Sequence, residues 1–209
     1  EFDLLRRIAQ LYTERGDSRH ALQTLKEAAT YFRDIEGVDA VANDMAATFH
    51  HLFAEDGADK LDAVTALALF DEFRELTPTG AEGDALARKL ADRLASVDLL
   101  GDAARLLEQQ VKFRLKGEEK ARVGLRLANI RLTDRKPKDA LAALAESAES
   151  DLPRDLVHDR LLVQARALAA DGKDVEALAS LDKDDSESAD RIRAAVQWRA
   201  KAWQPAADA

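Results

Sequence analysis

Cysteine is absent from this 209-residue chain, methionine occurs once, and aromatic residues make up only 5% of it. Without cysteine there is no disulfide framework, no thiol nucleophile and no Cys-based zinc site. An excess of positive charge is missing too. The formal net charge is -9 and the isoelectric point is near 5.0, a poor match for a phosphate backbone, so no nucleic-acid partner is expected. No apolar run approaches the roughly 20 residues that cross a bilayer, so no membrane insertion is expected of this segment. The sequence also lacks a Gly-Lys-Ser/Thr phosphate loop, a G-x-G-x-x-G turn and a G-x-S-x-G elbow.

What is present points to helices. The chain is 46% hydrophobic and 34% charged, and alanine is its commonest residue, with leucine next. Both residues lose little rotamer freedom in a helix. Charge is spread evenly among plentiful apolar residues, which argues against wholesale disorder. Apolar residues recur at helical spacing nearly everywhere, and period-two alternation is absent. Turn signals separate the helical pieces: Gly16-Asp17, Gly37, Asp56-Gly57, Thr77-Pro78-Thr79-Gly80, Gly101-Asp102, Lys116-Gly117, Lys136-Pro137, Leu152-Pro153 and Asp171-Gly172. About eleven helices result, and no linker is long enough to divide domains, so residues 1–209 are expected to form a single continuous domain. The chain opens on Glu1-Phe2-Asp3 without an initiator Met, and a helical pattern is under way at Trp198. Both ends read as cuts through a longer protein. Heavy Ala, Arg, Asp and Leu usage suggests a bacterial source with GC-rich coding. Absence of cysteine suits cytoplasm or periplasm, the cytoplasm being favoured.

Self-similarity decides the architecture. Leu5, Ile8, Ala9, Tyr12, Gly16, Ala21, Leu25 and Ala28 follow a pattern of large, large, small, aromatic, Gly at the turn, then small, large, small. The register returns as Leu161, Ala165, Leu168, Gly172, Ala177 and Leu181. It returns in part as Leu127, Ala128, Ala140 and Leu144, followed by Pro153. A further partial copy, Leu90, Ala91, Leu94, Gly101, Ala104 and Leu107, fits only with a rebuilt turn. Between Phe32 and Pro78 a helix pair (Val38 to Phe53, Leu61 to Leu76) is evident, but the motif is degenerate. Small residues at these points let paired helices approach closely, while large ones fill the space between pairs.

On these residues the chain resembles the tetratricopeptide repeat family over most of its length. The alanines Ala104, Ala140 and Ala177 lie about 36 residues apart, slightly beyond that family's usual 34. The resemblance implies an all-α fold, a right-handed superhelix of antiparallel helix pairs, whose first helices line a concave groove where a protein or peptide binds. Carried over by register, the groove positions are Arg6 and Gln10, then Arg88, Lys89 and Asp92, then Arg122, Arg126 and Asn129, then Asp159 and Arg166. Positive side chains predominate on that strip. Arginine forks suit carboxylates, and asparagine can hold a peptide backbone by both donor and acceptor. The expected occupant is therefore an acidic peptide. Equally, neighbouring Asp and Glu could hold these arginines on exposed faces, at about 1 kcal/mol or less each. The family's carboxylate clamp is not matched residue by residue.

Other candidates carry less. The histidines are His20, His50, His51 and His158. His51 and Glu55, one turn apart, lack a third metal ligand and read as polar residues near a helix end. Asp182-Lys183-Asp184-Asp185-Ser186-Glu187-Ser188 looks superficially like a calcium loop. However, Glu187 stands where Gly is needed and Arg193 where the bidentate Glu belongs, so capping of the next helix by Asp185 or Ser186 is expected instead. Carboxylate neighbours such as Asp34 with Glu36, or Glu118 with Glu119, have no specificity as acid/base pairs. Trp198 and Trp203 are read as packing residues for a following helix.

No catalytic, metal or cofactor site is expected, and three function classes remain. They are a non-catalytic interaction module or scaffold, an accessory helical domain of a larger enzyme, and a homo-oligomerising element with uncapped terminal repeats. The first is preferred, and it makes a direct prediction. Replacing Arg122, Arg126 and Arg166 by Glu leaves circular-dichroism helicity and melting nearly unchanged and abolishes capture of the native partner; equal recovery from wild type and variant in pull-downs refutes the basic strip.

Overall fold

The computed structural model of the protein describes residues 1–32, 37–54 and 57–199. Among them are eleven α-helices and no strand: α1 (Phe2–Glu14), α2 (Ser18–Tyr31), α3 (Val38–Ala54), α4 (Ala63–Glu72), α5 (Ala81–Ser96), α6 (Leu100–Phe113), α7 (Gly117–Thr133), α8 (Pro137–Glu146), α9 (Arg154–Ala170), α10 (Asp174–Ser180) and α11 (Glu187–Arg199). Short 3-10 turns occupy Gly57–Lys60 and Arg74–Leu76. Successive helices pack as antiparallel pairs, α1 with α2, α7 with α8 and α9 with α10. The chain divides into two compact units, Glu1–Arg93 and Leu94–Ala209, the division falling inside α5.

In the first unit α1 packs on α2 and α2 on α3. Ala9, Ala21, Leu22, Leu25 and Ala28 are fully buried there, so this pair has the small-residue register read from its sequence. The repeat-poor segment that follows is held differently. All phenylalanines but Phe113 fall in this unit, and Phe49, Phe53 and Phe70 form a cluster with ring centroids 4.6 to 6.0 Å apart. Aromatic area there replaces the missing repeat contacts. The second helix is shorter than its pattern suggests. Asp62 accepts from the Thr65 backbone N–H at 2.9 Å and starts α4 at Ala63, and the end of the expected helix is the separate turn Arg74–Leu76.

The second unit is regular. Each helix from α6 onward packs against the next, and in addition α6 packs on α8, α7 on α9 and α9 on α11. First helices thus stack on first helices. One turn geometry recurs at a spacing of 37 residues, at Asp98, Arg135 and Gly172, each with positive φ (64°, 56° and 80°). At each the backbone closes the same way: Leu99 N–H donates to Leu94 O, Lys136 to Arg131 O and Lys173 to Leu168 O, at 2.8 to 2.9 Å. This six-residue closure satisfies carbonyls that a helix end leaves open. Gly16 (φ 75°) does the same in the first unit, with Asp17 N–H on Tyr12 O.

The recurring turn corrects the sequence register in one copy. Gly101 lies inside the first turn of α6, and Asp98 makes the bend. The alanine equivalent to Ala140 and Ala177 is therefore Ala103 and not Ala104. All three donate their N–H to the carbonyl of the residue that follows the bend, at 2.9 to 3.1 Å, and all three are 0% exposed. The period is 37 residues rather than 36.

Two contacts pin these helices together. Gly124 in α7 faces the end of α8 so closely that an added Cβ would stand 1.8 Å from the Ser147 Oγ and 2.1 Å from its Cβ. Ser147, 0% exposed, donates its hydroxyl to Ala143 O at 2.6 Å. Arg160 of α9 then reaches in, donating to Ala121 O and Leu144 O at 2.7 Å and to Ser147 Oγ at 3.1 Å. One guanidinium thereby binds α7, α8 and α9, and its burial pushes its pKa below the ordinary arginine value. Arg193 of α11 repeats the device on Leu181 O and Asp184 O, both at 2.9 Å.

Gly124→Ala is expected to destabilise the protein by about 1–2 kcal/mol net, the overpacking cost exceeding the gain of roughly 0.5–1 kcal/mol from removing a mid-helix glycine. Gly101→Ala, whose Cβ meets nothing within 4 Å, should leave stability unchanged or raise it. Thermal melts of the two variants side by side check the contrast.

Candidate functional site

Each unit carries a cleft on its own first helices. In the first unit, Asp3, Arg6, Arg7, Gln10 and Thr13 of α1 face Asp44, Ala47 and Thr48 of α3 across a 580 Å³ cleft floored by Ala9 and Leu25. Its charges cancel internally. Arg6 donates from Nε and Nη2 to a single Asp44 oxygen at 3.1 and 2.7 Å. Arg7 donates to Gln10 Oε1 at 2.8 Å. Both groove residues expected here, Arg6 and Gln10, are thus present in the cleft and held by neighbours.

In the second unit a 430 Å³ cleft runs across α7, α9 and α11, lined by Leu125, Asn129, Asp159, Leu162, Val163, Arg166, Ser188, Arg191 and Ile192. The lining follows helix geometry: 125 and 129 on one helix, 159, 162, 163 and 166 on the next, 188, 191 and 192 on the third. Apolar side chains form the floor. Leu162 and Ile192 also pack on the buried Ala165, Leu181 and Ala189 cluster beneath, which fixes that floor in place. Asn129 and Arg166 stand at equivalent repeat positions, and Arg166 Nη2 donates to Asn129 Oδ1 at 2.6 Å. Asn129 Nδ2 in turn donates to Leu125 O at 3.0 Å. Arg191 is held by Glu187 one turn earlier.

The remaining strip residues lie elsewhere. Arg88 and Lys89 follow each other on α5, where Lys89 borders a crevice of 10 Å³ with Phe53, Ala58 and Leu86, room for a single water at most. Asp92 is one turn further along α5. Arg122 is ion-paired with Glu118 at 2.6 Å on the exposed face of α7, and Arg126 is exposed on the same helix. The sequence reading missed Ser188 and Arg191. Extending the 37-residue register one helix further, into α11, is the signal that would have found them.

The other candidates resolve locally. His20 stacks on Tyr12 and pairs with Asp17 at 2.7 Å, while His50 pairs with Glu82 at 2.7 Å. Among the described residues no group of three or more His, Cys, Asp or Glu side chains could hold a metal ion, and no helix is long and apolar enough to cross a membrane. Glu55, Asp34, Glu36 and Trp203 lie outside the described residues. Trp198 is 63% exposed on α11. In the segment 182–188, Ser186 Oγ accepts from Ala189 N–H at 3.2 Å, so Ser186 caps α11. Asp184 accepts from the Ser186 N–H at 3.0 Å and from His158 Nε2 at 2.9 Å.

No protein-family model matches the chain, and no curated protein does. Solved structures do resemble it. One is a kinesin light chain protein of Podosopora anserina built of nearly identical TPR-like repeats (18% identity, 93% of this chain and 96% of that one, TM-score 0.45). Another is BtubC (BKLC) of P. vanneervenii (18% identity, 93% and 80%, TM-score 0.49). A point variant of the Podosopora protein is similar at 17% identity, 96% of each chain and TM-score 0.44.

The loop before α11 predicts a pH dependence. Hydrogen bonds from Ser186, through side chain and backbone, and the His158 charge hold the Asp184 carboxyl below the ordinary value of 3.8. A carboxyl with a lowered folded-state pKa stabilises fully above its unfolded value, and that contribution disappears as the pH falls through the lowered one. Asp184→Asn should therefore melt below wild type at pH 7, and the two should converge in an acid series taken below pH 3.8. A constant gap across the series counts against the assignment.

Proposed function

We propose that this chain is a non-catalytic interaction module that takes a partner polypeptide on the surface made by the first helices of its pairs. Tetratricopeptide-like folds are typical of protein-interaction scaffolds. The observation that carries the reading to a particular place is the cleft across α7, α9 and α11, with an apolar floor and a polar rim. Such a composition suits recognition: apolar area supplies affinity, and a few placed polar groups supply orientation. Its breadth over three parallel-stacked helices suits a chain segment rather than a small metabolite. The partner is read as an acidic one because the lining includes Arg166, which is held by the amide of Asn129, whereas Arg191 is already paired with Glu187. The α1–α3 cleft offers a second surface of balanced charge.

A photoactivatable amino acid placed at Leu125 or Ser188 in the cleft is expected to crosslink the native partner in cell extract. The same label at Lys138 or Val175, exposed on α8 and α10, should not. Equal crosslinking from the second helices would move the interaction to the outer face and refute this reading.

A further inference from the structure

Arg166 differs from Arg6, Arg122 and Arg191 in the character of its neighbour. Arg6 leans on Asp44, Arg122 on Glu118 and Arg191 on Glu187, each a carboxylate that cancels its charge. Arg166 leans on an amide, at 2.6 Å. An amide fixes a guanidinium without neutralising it. The amide itself is fixed, because Asn129 spends its Nδ2 on Leu125 O one turn back. Oδ1 and Nδ2 thus each make one hydrogen bond inside the protein, which fixes the orientation of the Asn129 amide.

Resting on the cleft reading above, we infer that Asn129 is a positioning residue: the relay from Leu125 O through Asn129 presents Arg166 as the charge-retaining anchor of the cleft, selecting a partner segment that places a side-chain carboxylate beside apolar residues. A long arginine free in solvent must be ordered before it can bind. Here part of that cost is met in the unbound protein, and the guanidinium's fork retains donors for a carboxylate. The identity at position 129 then matters through charge. Aspartate there would hold Arg166 equally well and cancel it.

The test uses the whole chain with two probes, acetylated and amidated peptides Leu-Glu-Leu-Leu-Glu-Leu and its Gln twin, followed by the methyl resonances of Leu162 and Ile192. For wild type the Glu peptide should bind at least about five-fold tighter than the Gln peptide, as expected of a charge-assisted pair. Arg166→Gln should erase that preference. Asn129→Ala should weaken Glu-peptide binding about two- to ten-fold, the cost of ordering one long side chain, while keeping the preference. Asn129→Asp should remove the preference. Without any peptide, the Arg166 Nε–Hε signal should be sharp in wild type and Asn129→Asp and averaged in Asn129→Ala, a readout independent of ligand choice. Equal binding of the two peptides to wild type, with methyl shifts present, overturns the anchor and leaves the cleft as a docking surface. Unchanged Arg166 dynamics in Asn129→Ala overturn the relay. Absence of methyl shifts with either peptide overturns the cleft reading and this inference with it.

Discussion

Close approach of helix backbones is the constraint on which the second unit depends. Gly124 has no side chain because the end of α8 occupies the space one would need. Ala103, Ala140 and Ala177 are methyl-sized and fully buried because each sits where a second helix meets its neighbours. Dispersion falls off steeply with separation, so a larger residue at these points would forfeit contacts along the whole crossing. A helix-interior glycine is unfavourable by itself. Its presence in α7 is intelligible only through the packing it permits.

Close packing also creates a problem that the arginines solve. Helix ends pressed against other helices leave carbonyls without water. The recurring left-handed turns close the first helices, and Arg160 and Arg193 close the seams after α8 and α10 by donating to several carbonyls at once. These two cations are therefore structural. Arg166, six residues beyond Arg160 on the same helix, faces the cleft instead. Helical phase alone separates one role from the other.

Much of this was legible in the residues. Helix count, the α1–α2 register, the close-packed alanines and the capping of α11 by Ser186 follow from periodicity and from the chemistry of Ala, Gly and Ser. The copy around Gly101 was misread by one residue because glycine is the usual left-handed residue, whereas Asp98 adopts that backbone here. The segment 37–80 was opaque because phenylalanine packing leaves no repeat to read. Among the site residues, Arg6, Gln10, Asn129, Asp159 and Arg166 were placed in clefts by register alone. Ser188 and Arg191 were not, since the register had not been continued into α11.

The sequence by itself determined the all-helical pairing, because that depends on spacing along the chain. Only the tertiary structure decided what each cleft side chain touches. Whether an arginine is cancelled, latched or held ready depends on the group lying opposite it on another helix. For Arg166 that group is Asn129, 37 residues away in sequence and 2.6 Å away in space. Electrostatic energy follows the second distance, and no local pattern records it.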